Sequence, residues 1–178
     1  MSGIKKFCIC AICIAMCYVL PAAVHPLGWG QILSPLHIPV LVCGLVCGPF
    51  YGFTCGIVGP LLSSGLTGMP TMLALTSMLP ELAAYGVLGG AFMRGVCTKS
   101  LLINVYLSLI PTMLLGRAIG ALCKALYYTF GVFGVETLSI SGLASTYFIS
   151  TLPGIIVQLT LIPLLIVTLK EEKLIKVK

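Results

Sequence analysis

Residues 34–70, SPLHIPVLVCGLVCGPFYGFTCGIVGPLLSSGLTGMP, are apolar enough to sit in lipid, yet Gly and Pro interrupt them so often that no ordinary membrane helix fits. From Ile38 to Gly48 there are about 11 residues, roughly 16 Å of helix, against a hydrocarbon core of about 30 Å. A lone helix of that length cannot cross. The next piece, Phe53 to Leu66, is also short, and Gly-Pro-Phe-Tyr-Gly at 48–52 reads as the turn between the two. Backbone broken at membrane depth persists only where other protein, or a cavity, satisfies the freed polar groups. The hairpin is therefore the first candidate for the wall of a solute site.

Composition places the rest of the chain around this hairpin. Apolar residues make up 59% of the 178 and charged residues 8%, with a mean hydropathy of +1.16, far from any soluble domain. At about 20 residues per crossing, this length predicts an all-α membrane protein of about six helices in one integral domain over 1–178, with no room for a soluble ATPase. The expected helices are 5–24, 37–48, 53–66, 72–93, 101–130 and 147–169. No G-x-x-x-x-G-K-[ST] loop occurs. The formal charge of +6 reads as topology rather than as nucleic-acid binding, because the cations cluster beside helix ends.

The apolar run after Lys5 and Lys6 is read as a spanning helix rather than a cleaved signal peptide, and it carries Ala11 and Ala15 four apart. Small residues at that spacing form a shallow groove where another helix can lie close. His25 to Ser34 is the first loop. It holds Trp29, the chain's one Trp, which the residues alone leave as an interfacial anchor or a lid stacking on a ligand. Ser63 to Thr71 reads as a polar turn, Gly131 to Ser145 as a loop, and Asn104 as an interfacial residue. With the N-terminus inside, Lys5, Lys6, Arg94, Lys99 and the four tail lysines put eight of the ten cations on the cytoplasmic side. Both termini are then cytoplasmic, as an even number of crossings requires.

Nine cysteines cannot all pair internally. Cys10 and Cys13 form a C-x-x-C without a second ligand pair or a His at metal spacing, so the thiols are read as small apolar packers, and no metal or cofactor is implied.

Three ionisable residues remain inside apolar helices: Glu81, Arg117 and Lys124. Each costs about 2.5–3.5 kcal/mol on insertion scales and should face the bundle interior with a partner. Arg117 and Lys124, seven apart, share a helix face, and all three fall at depths where they can meet in one outer chamber. One reading is a Glu81–Arg117 pair that locks two helices while Lys124 snorkels outward. The other is a pocket of net positive charge suited to a small monoanion. Tyr85, one turn after Glu81, faces the same space. His37 opens the second helix and either meets ligand or bonds a loop carbonyl, and Gln158 either meets ligand or bonds a neighbouring helix.

The Ala11-x-x-x-Ala15 step, the run PVLVCGLVCGPFYG from Pro39 to Gly52 and the glycines at 44, 48, 52, 56 and 59 resemble the substrate-binding S component of energy-coupling factor (ECF) vitamin transporters. The resemblance implies a six-helix, multi-pass protein of a prokaryotic plasma membrane that is not itself an enzyme. Such a protein captures a vitamin or its precursor under a lid formed by the first loop, to which Trp29 would belong. It docks through Ala11 and Ala15 on a transmembrane coupling subunit driven by two ATPase subunits, and it topples in the membrane to deliver its load. The charges favour an acidic vitamin, with pantothenate ahead of folate. Pyridoxine and riboflavin are alternatives, as is an accessory subunit with no ligand of its own. An intramembrane enzyme is disfavoured because no carboxylate pair, His-x-x-x-His or nucleophile with a base occurs at one depth.

Overall fold

The computed structural model describes residues 2–24, 35–96, 98–129 and 152–172, and among them the chain is all helix. Six helices follow in order: α1 (Gly3–Val24), α2 (His37–Cys47), α3 (Pro49–Thr67), α4 (Met72–Gly95), α5 (Leu101–Thr129) and α6 (Leu152–Glu171). Three of them, α1, α5 and α6, are long and apolar enough to cross a bilayer unaided, whereas α2 has only 11 residues. The loop with Trp29, the loop 131–145 and the last three lysines lie outside the described residues.

The break between α2 and α3 is one residue, not the five of Gly48 to Gly52. Gly48 takes φ 99°, ψ 178°, a conformation that an L side chain rarely adopts. Its N–H closes α2 on Gly44 O at 2.9 Å, and Gly52 N–H already returns to Gly48 O at 3.0 Å. Pro49 then begins α3 at the position where its fixed φ suits a helix and its missing N–H costs nothing. The Arg94 guanidinium lies where a Cβ on Gly48 would stand. At the far end α3 also runs on, through Ser63 and Ser64 to Thr67, so the polar turn shrinks to residues 68–71. There Ser63 and Ser64 donate to Met69 O (3.1 Å) and Pro70 O (2.8 Å).

Helix α4 sits at the centre and meets its neighbours along two stripes. Leu82, Gly86 and Gly90, four apart, run against Gly56, Gly52 and Gly48–Pro49 of the hairpin in antiparallel order. A Cβ on Gly86 or Gly52 would lie inside the backbone of the other, and one on Gly90 would lie 2.5 Å from Gly48 C. Backbone therefore touches backbone, the approach that small residues allow between membrane helices. The second stripe, Glu81, Tyr85 and Gly89, runs against Gly120, Gly116 and Thr112 of α5, again antiparallel.

Helix α1 closes the hairpin from outside through Cys10, Cys13, Cys17 and Pro21, the buried stripe of an otherwise open helix. Cys10 and Cys43 both donate to Tyr51 O, at 3.6 and 3.5 Å, and Cys47 donates to Lys6 O at 3.7 Å. With Cys55 these make six buried thiols across α1, α2 and α3, acting as small apolar fillers with a weak donor. Among the described residues no group of His, Cys, Asp and Glu is arranged to hold a metal ion. Asn104, in the first turn of α5, is buried. It clamps the α4–α5 loop through Thr98 N–H (2.9 Å) and Thr98 O (3.1 Å). Elsewhere on α5, Leu107, Leu114 and Leu122 are exposed, as a lipid-facing surface requires.

Candidate functional site

The α4–α5 ladder determines where the ionisable side chains go. Gly116 and Gly120 stand one turn apart, and each lies under a large polar side chain of α4. A Cβ on Gly116 would meet the Tyr85 ring at 2.5 Å, and one on Gly120 would meet Glu81 Oε2 at 2.7 Å. The glycines leave the room into which the Glu81 carboxylate and the Tyr85 ring fold. The sequence-level signal for them was the G-x-x-x-G spacing around Arg117, a motif recognised by length alone only where small residues recur.

Four of the expected residues meet here. The Tyr85 hydroxyl donates to Glu81 Oε1 at 3.0 Å, with Met113 O a more distant acceptor at 3.5 Å. The Arg117 guanidinium lies near enough to act on the same hydroxyl electrostatically. A phenol has one proton to give, and here the carboxylate receives it. His37 comes from the first turn of α2, its Nε2 standing 3.5 Å from Glu81 Oε1. Its ring meets the Tyr85 ring edge-on, with centroids 5.2 Å apart at 67°. His37, Glu81, Tyr85 and Arg117 are all 5% exposed or less. Three helices thus bring a base, an acid, a phenol and a cation into one buried network.

Gln158 lies on the buried stripe Gly154, Gln158, Ile162 and Ile166 of α6. That helix packs on α5 and α2, which supply Arg117 and His37. Its amide Nε2 is buried with no hydrogen-bond partner among the described residues. Arg117 makes polar contacts of its own, while its Nε atom is the second buried donor left unsatisfied there. Buried donors are nearly always paired, so these atoms call for acceptors beyond the described residues or on a solute. Lys124 is half-buried, two turns from Arg117 on α5, and has a polar interaction of its own. Ala11 and Ala15 are exposed on α1, turned away from its buried cysteines. On the far side of α4, Ile57, Thr76, Leu79, Pro80, Ala83 and Tyr127 line an open, mostly apolar cleft of about 280 Å³.

The arrangement can bind and orient a small polar solute. It joins no nucleophile to a base, and its one described buried carboxylate is held by Tyr85 and His37. Neither a curated protein nor a solved structure matches the chain. The model of one family, described as ECF transporter, substrate-specific component, matches residues 5–168. With nearly its whole length so matched, and with a helical bundle around a buried polar site, the chain belongs to the family of substrate-specific components of ECF transporters.

Proposed function

We propose that this S component captures a small vitamin or vitamin precursor, pantothenate before others, from outside a prokaryotic plasma membrane. The observation that carries the reading is the buried cluster of His37, Glu81, Tyr85 and Arg117, with the Gln158 amide nitrogen, which has no partner among the described residues, on a neighbouring helix. Burying charge in a membrane bundle costs stability, and donors without acceptors add to that cost. A ligand carboxylate and its hydroxyl or amide groups supply acceptors for both.

In this reading His37, Tyr85, Arg117 and Gln158 contact the solute, Glu81 holds them in place, Lys124 draws an anion toward the mouth, and Trp29 covers it. Delivery falls to partners: a transmembrane coupling subunit and two ATPase subunits, which dock on the small face of α1 at Ala11 and Ala15. The exposure of both alanines supports that role. Hydrolysis of ATP belongs to those partners, and this chain binds rather than catalyses.

The test is thermal. A ligand present at a hundred times its Kd stabilises the state it binds by about 2.7 kcal/mol. Protein purified in detergent should melt several degrees higher with pantothenate. A rise with riboflavin or pyridoxine instead moves the substrate and keeps the function. No rise with any vitamin, together with no ATPase co-purifying from the native host, overturns the reading.

A further inference from the structure

Away from the solute site, cations converge on the end of the bundle where the hairpin turns. Lys6 stands one turn before Cys10, at the foot of the stripe by which α1 packs on the hairpin, and is half-buried there. Its carbonyl accepts from the Cys47 thiol at 3.7 Å, and its ammonium lies near enough to that thiol to act on it electrostatically. From the last turn of α4, the Arg94 guanidinium rests over Gly48, the next residue. Lys5, beside Lys6, is exposed.

Among the described residues none of Lys5, Lys6 and Arg94 pairs with a carboxylate. The described acids are Glu81, buried in the solute site, and Glu171 and Glu172 at the end of α6, which packs chiefly on α5 and α2. Cations gathered without counter-charge repel one another, and an anion between them reverses the sign of the interaction. The surface beside them is apolar. Ile4 and Phe7 flank the two lysines, Phe50 and Phe53 follow Gly48 one turn apart on α3, and all four are exposed. Exposed rings next to unpaired cations suit a membrane interface, the rings at headgroup level and the charges on the phosphates. A soluble anion would use the charges alone, whereas a phospholipid uses both.

We propose that this end of the bundle binds one anionic phospholipid of the cytoplasmic leaflet. Its phosphate lies between Lys6 and Arg94 at the Gly48–Pro49 break, and its acyl chains lie on the apolar surface beside them. The cytoplasmic placement follows from the distribution of cations along the chain. Such a lipid would tie α1 to α4, helices that otherwise meet through the hairpin. At this end, the polar contacts of α1 with the hairpin are weak thiol hydrogen bonds.

Native mass spectrometry of the full chain from detergent, titrated with phosphatidylglycerol or with phosphatidylcholine of the same acyl chains, counts the bound lipid. Expected is one phosphatidylglycerol, held about tenfold or more tighter than phosphatidylcholine. Lys6→Gln and Arg94→Gln should each weaken it about fivefold, the equivalent of about 1 kcal/mol per cation at a membrane surface. Lys99→Gln removes a cation from the α4–α5 loop at the same end and should leave the affinity unchanged. Equal retention of the two lipids overturns the proposal. Equal losses from Lys99→Gln and Arg94→Gln also overturn it, replacing a site by the diffuse field of a cationic end. Displacement of phosphatidylglycerol by millimolar inorganic phosphate overturns the lipid and leaves a site for a soluble anion. Should a variant fail to fold, discrimination between the two lipids by the parent chain decides. The S-component reading stands or falls separately, because no residue of the solute site is altered.

Discussion

The two stripes of α4 use glycine for opposite ends. Toward the hairpin, Gly86 and Gly90 meet Gly52 and Gly48, and the close approach is itself the interaction. Toward α5 the glycines belong to the neighbour, and Gly116 and Gly120 make space for the Tyr85 ring and the Glu81 carboxylate. One stripe gains dispersion and weak Cα–H contacts from backbone on backbone. The other makes room for a buried charge and a phenol. Their adjacency on one helix means that the rigid seam fixes the height and rotation at which Glu81 and Tyr85 present themselves.

The comparison breaks most visibly on the charged stripe. Glu81→Leu removes the carboxylate that the Tyr85 hydroxyl and the His37 ring face, close to the buried Arg117, and removing one partner of a buried charged set costs about 3–5 kcal/mol. Expected is a large fall in melting temperature and in yield. The double variant Glu81→Leu/Arg117→Leu removes both charges, so most of the loss should return while ligand binding stays absent. If the double variant is no more stable than the single, the two residues are not energetically linked through Tyr85.

A smaller effect separates the two kinds of glycine. Gly86→Ala forces backbone against the Gly52 backbone, which cannot step aside, and overpacking of this kind costs about 1–3 kcal/mol. Gly120→Ala meets chiefly Glu81, whose Oε2 would be 2.7 Å away and can swing. The expected pattern is a melting temperature lowered clearly by the first variant and little by the second. Vitamin affinity should fall most, per degree of stability lost, in the second. Equal melting and equal affinity losses would erase the distinction between the stripes.

Much of this was legible in the residues. Hydropathy, cation placement and the broken hairpin led to a six-helix bundle, and the small-residue runs led to the family that the match over residues 5–168 shows. Glu81, Tyr85 and Arg117 were brought together by depth alone, since few ionisable groups can share an apolar interior without meeting. The turn was overdrawn because Pro49, a helix breaker in the interior, is a helix starter after Gly48. The partners of Asn104, a loop carbonyl and N–H of Thr98, are invisible in one dimension. Gly116 and Gly120 went unremarked because a glycine's purpose lies in the side chain opposite it, and that residue is some thirty positions away.

The smallest effect on stability should come from outside both stripes. Ala11 and Ala15 face away from the buried cysteines of α1 and are exposed, and substitutions at surface sites far from special contacts usually change stability by about 0.5 kcal/mol or less. Ala11→Trp/Ala15→Trp should therefore melt and bind vitamin like the parent chain. If this face docks a coupling subunit, two indoles fill the groove that a partner helix needs, and uptake by cells expressing the complete transporter should be lost. Loss of binding along with uptake would mean that α1 communicates with the network through the thiol layer and α2. Uptake unchanged would move the docking surface to another face of the bundle. The intended outcome, normal capture with no delivery, would divide the molecule functionally as α4 divides it structurally. The α4–α5 side would hold the solute, the hairpin would hold the shape, and α1 would be left free to engage the partner.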